Sequence, residues 1–214
     1  MSRGLFVTGT DTGVGKTVTC AALVHRFRTA ARLQYWKPVQ TGIEQDDDTG
    51  EVWRLAACKA AEGIRLPRPV SPHLAARWCG RTISLDELSL PPGEGIAWIV
   101  EGAGGVLVPL NDHDLMTDLM LALGLAVLVV ARSSLGTINH TLLTLEALRR
   151  RGLRVVGVVM NGAPNADNRA AIEHYGQAAV LGEMPPLEPL DSDRLASWAT
   201  AELDPGGQLL EFLE

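Results

Sequence analysis

The segment Gly9-Thr10-Asp11-Thr12-Gly13-Val14-Gly15-Lys16-Thr17, placed directly after the apolar run Leu5-Phe6-Val7, limits the possible folds more than any other stretch of this chain. Its glycines let backbone N–H groups converge on an anion at the start of a helix. Lysine followed by a hydroxyl residue is what a phosphate loop needs to reach the outer phosphates and to hold Mg²⁺. Such a loop sits between a strand and a helix, so the pattern predicts a strand through Val7 and a helix from about Lys16 to Ala31. The usual spacing would place the first glycine at position 10, which is Thr10, with Gly9 one residue earlier. Thr12, Gly13, Val14, Gly15, Lys16, Thr17 and Val18 are therefore candidate nucleotide-binding residues, with Thr17 on the metal and Lys16 on the phosphates. A glycine turn that merely precedes a helix would not need Gly15-Lys16-Thr17 in this register.

The rest of the chain supplies the scaffold such a loop requires. Strand-like runs recur at Gln34-Tyr35-Trp36, Ala97 to Val100 (stopping at Glu101), Ala126 to Ala131, Val155 to Met160 and Ala179-Val180-Leu181, with helix-like stretches between them. Continuous apolar strands alternating with helices predict an α/β fold: a doubly wound, mainly parallel sheet with helices on both faces. The helix after the fourth run is well marked. Thr137 or Asn139 can cap it, Leu142, Leu143, Leu145 and Leu148 form its apolar stripe, and Arg149 to Arg151 followed by Gly152 end it. Residues 62–95 carry Pro67, Pro69, Pro72, Pro91 and Pro92, which predict an excursion of loops and short helices able to wall a substrate site. No linker divides the 214 residues, so residues 1–214 are expected to form one domain.

Composition narrows the partners. A net charge of -6, with acidic and basic residues mixed, argues against a nucleic-acid partner, whose phosphates favour a basic face. No apolar run approaches the roughly 20 residues that span a bilayer. Cys20, Cys58 and Cys79 form no metal motif, and with no signal region at the start the chain is expected to be cytoplasmic with reduced thiols.

In sheets of this kind ligands sit beyond the carboxyl ends of the strands. Lys37-Pro38-Val39-Gln40-Thr41-Gly42 follows the second strand, and a lysine there would face a phosphoryl group or carboxylate, with the Thr41 hydroxyl a few residues on. Taken alone, Lys37 could equally be a solvated residue before a turn, and Asp46-Asp47-Asp48 a solvated acidic loop. A metal role for one of the three follows only because the rest of a magnesium site is present. Glu101, at the end of a buried strand, stands where phosphate-loop enzymes carry their metal-side acid, and Gly102, Ala103 and Gly104 after it allow backbone to approach a ligand closely.

Together these segments resemble the dethiobiotin synthetases. The matching stretches are Gly9 to Thr17, Lys37 to Gly42, Glu101 to Gly105, Leu135-Gly136-Thr137-Ile138-Asn139-His140-Thr141 and Leu181-Gly182-Glu183-Met184-Pro185, and the likeness runs from residue 5 to about 190. The resemblance implies a homodimer, with active sites at or near its interface, that joins 7,8-diaminononanoate and CO2 at the expense of ATP to give dethiobiotin, ADP and phosphate. It implies Lys37 and Lys16 as catalytic cations, and Thr17, Asp48 and Glu101 around Mg²⁺. Thr41, Gly136, Thr137 and Asn139 would hold substrate. Asn161 and Gly162 would read the purine beside the late nucleotide-side loop Met184, Pro185 and Pro186. Asp48 rather than Asp47 fits the spacing to Glu51 and Arg54. His140 could contact substrate, cap or pack. One departure is Gly13, where many members carry glutamate. The competing reading is a partition-type phosphate-loop ATPase switch, whose relatives carry a second lysine five residues before the first. Asp11 stands there instead; it could help to hold the metal through water, and it weighs against the switch.

Overall fold

Leu5 and Val7 point to one side of the first strand and Phe6 to the other, and all three are fully buried, so both faces of the sheet must be covered. The computed structural model describes residues 3–214 and shows how. In chain order the elements are β1 (Arg3–Gly9), α1 (Lys16–Phe27), β2 (Leu33–Trp36), β3 (Val39–Thr41), α2 (Asp48–Ala56), β4 (Ala60–Ala61), β5 (Ile64–Leu66), α3 (Pro72–Trp78), β6 (Ala97–Gly105), α4 (Met116–Leu123), β7 (Ala126–Arg132), α5 (Thr137–Arg150), β8 (Val155–Asn161), α6 (Ala166–Gly176), β9 (Val180–Met184) and α7 (Ser192–Glu202). Seven strands form a sheet in the order β4-β2-β6-β1-β7-β8-β9, parallel at every described pairing. This is the doubly wound fold expected.

Leu5 and Val7 pack with Leu23 of α1, Val52 of α2 and Leu195 of α7. Phe6 packs into the opposite core with Ala75 of α3, Met120 of α4, Leu145 of α5 and Ile172 of α6. The chain leaves β1 toward β2 on one side, and after β6 it crosses to β7 on the other. The carboxyl end of β1 therefore lies at the reversal of strand order, where such sheets open a crevice. No described helix is long and apolar enough to cross a membrane.

Several local expectations shift. Helix α1 ends at Phe27, short of Ala31. Strand β6 does not stop at Glu101 but runs to Gly105, pairing with Gly9. Small residues permit this, since a Cβ on Gly102 would lie 2.9 Å from the Phe6 ring. Strand β9 continues past Leu181, so that Met184, expected in a loop, is its last residue. Helix α5 is capped by neither Thr137 nor Asn139: its N-cap is Gly136 at φ 94°, with no side-chain hydrogen bond. The Thr137 hydroxyl turns inward, 3.5 Å from that of Thr141. Leu145 and Leu148 are core residues, whereas Leu143 is 57% exposed. Within 62–95 the structure places α3 and a 3-10 turn at Leu85–Glu87. It also forms a small second sheet that the sequence does not announce, β5 lying parallel to β3 with Val39 opposite Ile64. Three-residue strands are too short to display a period.

Candidate active site

Helix α1 begins as an anion site should. Its N-cap, Gly15, is left-handed at φ 90°, no side chain caps the end, and the first turn carries no acid. The first N–H groups thus have no side-chain acceptor competing with a ligand. Lys16 is buried at 7% exposure, and its Nζ donates to the Asp11 carbonyl at 3.0 Å. Burial lowers the Lys16 pKa, with the Glu101 charge partly offsetting that shift.

Beside this end, α1, the end of β2, β6 and α2 deliver four polar side chains to one point. The Thr17 hydroxyl lies 2.9 Å from Asp48 Oδ1 and 3.1 Å from Glu101 Oε1. Lys37 Nζ bridges the same two acids, 2.5 Å from Asp48 Oδ2 and 2.6 Å from Glu101 Oε1. Glu101 and Lys37 are almost inaccessible, at 1% and 6% exposure. Burial alone would lower the Lys37 pKa, but the two carboxylates outweigh it and raise it. Lys37 is held as an ammonium.

The choice among the three consecutive aspartates has a local cause. Asp47 is the N-cap of α2, accepting from Gly50 N at 3.2 Å, and it also pairs with Arg65 at 3.1 Å. Asp48 is the first helical residue, and the turn of the helix aims it at Thr17. Asp46 contributes its carbonyl, which accepts from Gln40 Nε2 at 3.0 Å.

A cavity of about 590 Å³ opens over this cluster. Of the residues expected at the site, Thr12, Gly13, Gly15, Lys16, Thr17, Val18, Lys37, Thr41, Asp48, Glu101, Ala103 and Gly104 line it. Pro69 and Pro72 from the 62–95 excursion form part of its wall. Val14 is buried beneath the loop, and Gly102 lies in β6 against Phe6.

Other expected residues lie apart. Asp11 is not brought to the Thr17 cluster: its Oδ2 pairs with Arg132 at 2.6 Å and its Oδ1 accepts from Thr12 N at 2.7 Å. The carboxylate is occupied by its own loop and by the end of β7. Gly136, Thr137 and Asn139 start α5 and do not line the Lys37 cavity. His140 borders a separate hollow with Leu107 and Leu143. Asn161 ends β8 and lies under the phosphate loop, its Nδ2 donating to the Val14 carbonyl at 2.8 Å. Gly162 donates its N–H to the Met184 carbonyl at 2.9 Å, which brings the 184–186 loop alongside.

Two residues escape a motif search. Tyr35, wholly buried, donates its hydroxyl to Glu101 Oε2 at 2.8 Å. Burial and the Glu101 charge push its pKa well above the usual tyrosine value. A faint signal existed, since alternation along a strand puts Tyr35 on the same side as Lys37. Arg132 follows the apolar β7 run at its carboxyl end, the position where function concentrates.

A family model described as an AAA domain matches residues 3–194. The protein of Paramagnetospirillum magneticum named ATP-dependent dethiobiotin synthetase BioD is 50% identical over 196 residues, covering 91% of this chain and 93% of that one. A protein of the same name from Brucella ovis is 45% identical over 199 residues, covering 91% and 92%. Among solved structures, a ParA family ATPase from Chlorobium tepidum superposes with a TM-score of 0.52 at 12% identity, covering 99% of this chain and 97% of that one. The signal recognition particle receptor FtsY of Elizabethkingia anophelis gives 0.56 at 14%, covering 100% and 66%. At such identities the two structures speak for the fold alone.

Proposed function

Because the chain belongs to the ATP-dependent dethiobiotin synthetases, we propose that it carboxylates 7,8-diaminononanoate and closes the ureido ring of dethiobiotin, converting ATP to ADP and phosphate. The observation that carries this reading is the Thr17, Lys37, Asp48 and Glu101 cluster under the phosphate loop. Its donor set fits Mg²⁺: two carboxylates and a hydroxyl converge on one point, and in this structure a cation, the Lys37 ammonium, already fills it. A small hard ion of this kind takes one or two protein carboxylates and completes its shell with water and phosphate oxygens. When bound, Mg²⁺ supplies positive charge to the nucleotide phosphates.

The chain's own residues do the remaining work by placement and charge. A neutral substrate amine adds to CO2 and gives up a proton to water, forming a carbamate whose anionic oxygen is already a nucleophile, so its attack on phosphorus needs no general base. That oxygen attacks the γ-phosphorus and ADP departs, leaving a carbamic–phosphoric anhydride. The second amine then attacks the carbamoyl carbon, the C–O bond to phosphate breaks, the amine's extra proton passes to the departing phosphate or to water, and the ring closes. Lys16 and Lys37 neutralise charge beside the transferred group, and the loop N–H groups align the phosphates. Thr41 would bind the reacting end of the substrate.

Two further assignments belong to this proposal. Gly136, Thr137 and Asn139 would receive the substrate's distant carboxylate, and their distance from the Lys37 cavity supports a site shared with a second copy. Leu107, Leu135 and Leu143, with exposures of 55%, 101% and 57%, give such a copy an apolar face to cover. Asn161, Gly162, Met184, Pro185 and Pro186 would form the base side of the nucleotide site. On the Asn161 side chain Oδ1 is buried and without a partner, an acceptor that would match the amino group of adenine. The partition-type switch gains nothing from the site, since an acid, Asp11, paired with Arg132, stands where its second lysine would be.

Phosphate release separates the two classes. A synthetase releases phosphate in proportion to added diaminononanoate and CO2, with dethiobiotin formed in equal amount. Release that proceeds with ATP alone and ignores diaminononanoate would overturn the proposal.

A further inference from the structure

Asn161 lies where the family pattern points to base recognition, yet its two amide hydrogens are spent elsewhere. Nδ2 donates to the Val14 carbonyl at 2.8 Å and approaches the Gly15 carbonyl at 3.3 Å and the Thr19 hydroxyl at 3.2 Å. Two of these partners are carbonyls, which only accept, so the nitrogen must face the loop; the reverse orientation would set oxygen against oxygen. Thr19 closes the arrangement by donating its hydroxyl to the Gly15 carbonyl at 2.9 Å. The anchor is itself firmly placed. Asn161 pairs in register with Arg132 of β7 and Met184 of β9, and its own carbonyl accepts from Ser133 N at 2.9 Å.

The consequence follows from peptide geometry. In a planar trans peptide the C=O of one residue and the N–H of the next point in opposite directions. Drawing the Val14 and Gly15 carbonyls inward therefore turns the N–H groups of Gly15 and Lys16 outward, toward the cavity. Position 15 shows how closely the amide is seated. A Cβ there would lie 2.3 Å from Asn161 Nδ2, and the residue is at φ 90°, so only glycine admits the side chain beneath the loop.

We propose that Asn161 is a positioning residue for the phosphate loop: from the end of β8 it holds two loop carbonyls inward and so presets the N–H groups that receive the nucleotide's phosphates. This rests on the loop being a phosphate site, and it extends that reading to a residue that the family pattern connects with the base. A role confined to the base and a role on the loop differ in one respect. The first is invisible to a ligand without a base, and the second is not.

The experiment uses inorganic tripolyphosphate with Mg²⁺, measured by displacement of a fluorescent ATP analogue, together with amide hydrogen exchange of the ligand-free protein. Asn161→Ala should weaken tripolyphosphate and ATP by a similar factor of about tenfold, in keeping with the loss of two or three hydrogen bonds. The amides of residues 13–17 should exchange faster, while those of β1 and β7 keep their protection. Thr19→Val serves as the second variant, because it removes one strut from within α1 and tests the same loop should Asn161→Ala fold poorly. A smaller loss of the same kind is expected for both ligands. Unchanged tripolyphosphate affinity and unchanged loop exchange in the variants, with ATP alone weakened, would overturn the proposal and leave a base contact. Failure of the wild type to bind either ligand would instead overturn the phosphate-site reading, and hydrogen exchange would still judge the strut.

Discussion

Helices α1 and α5 begin in nearly the same way and end up in very different company. Each has a left-handed glycine as N-cap, Gly15 at φ 90° and Gly136 at φ 94°, and neither has a side-chain cap or an acid in its first turn. Both therefore present first-turn N–H groups that no side chain caps, with partial positive charge, although the Thr137 N–H of the second already donates to the Ser134 carbonyl at 3.1 Å. Around the first, the chain assembles Lys37, Asp48, Glu101 and Tyr35, and Asn161 holds the loop from below. Around the second it assembles little, and Leu135, directly before Gly136, is fully exposed. Local sequence makes a helix end able to bind an anion. Whether the end becomes a finished site depends on what other segments bring to it.

The contrast is broken most sharply at Lys37. Lys37→Ala removes the cation that bridges Asp48 and Glu101. Turnover should fall about 10²–10³-fold, as is typical when one stabilising charge is lost at a reacting centre. Unaltered turnover of the folded variant would reduce the first helix end to a surface feature.

The second end is tested by mixing. If the start of α5 receives the substrate carboxylate as proposed, Asn139→Asp, at an exposed position of its first turn, sets a negative charge against it and should be inactive alone, as should Lys37→Ala. After co-unfolding and refolding, half of the dimers are mixed and each regains one intact site of two, so about a quarter of wild-type activity returns. Confirmed mixed dimers without recovery would mean that the two ends do not share a site.

A smaller effect is expected at Tyr35, which touches only the first site. Tyr35→Phe keeps the ring but frees Glu101 Oε2. The Mg²⁺ concentration for half-maximal activity should rise about three- to tenfold, the usual net loss for one ordinary hydrogen bond, since the effect reaches the ion only through Glu101. An equal change in the KM for diaminononanoate, with none for Mg²⁺, would contradict a link through Glu101.

The mildest probe compares the protected interior behind α1 with the open surface. Cys20 is buried and its pKa is pushed well above the usual thiol value by burial, Cys58 is buried and raised for the same reason, and Cys79 is exposed. A maleimide should label one thiol in the native protein and three in denaturant. Rapid native labelling of Cys20 would show that the back of the first site opens.

Much of this was legible along the chain, and the reasons it was legible are local. The Gly9 to Thr17 loop, the strands ahead of Lys37 and Glu101, and the covered parallel sheet all follow from apolar runs and backbone chemistry within a few residues. Where expectation and structure part, a distant partner is responsible. The family spacing already favoured Asp48 over Asp47, and what the sequence lacks is the cause: the start of α2 assigns Asp47 to its own cap and Asp48 to Thr17, 31 residues away. Asp11 looks like a metal residue until β7 brings Arg132 to it. Tyr35 is one more aromatic in a strand until β6 lays Glu101 beside it. By itself, then, the sequence determined that a triphosphate-binding loop sits on a doubly wound sheet, because glycine freedom, helix starts and strand periodicity are written in adjacent residues. Only the tertiary structure decided that Asp11 turns to Arg132, that Tyr35 steadies Glu101, and that Asn161 spends its hydrogens on the loop. Those choices are made by side chains far apart in sequence, competing for the same few hydrogen-bonding atoms in a buried space.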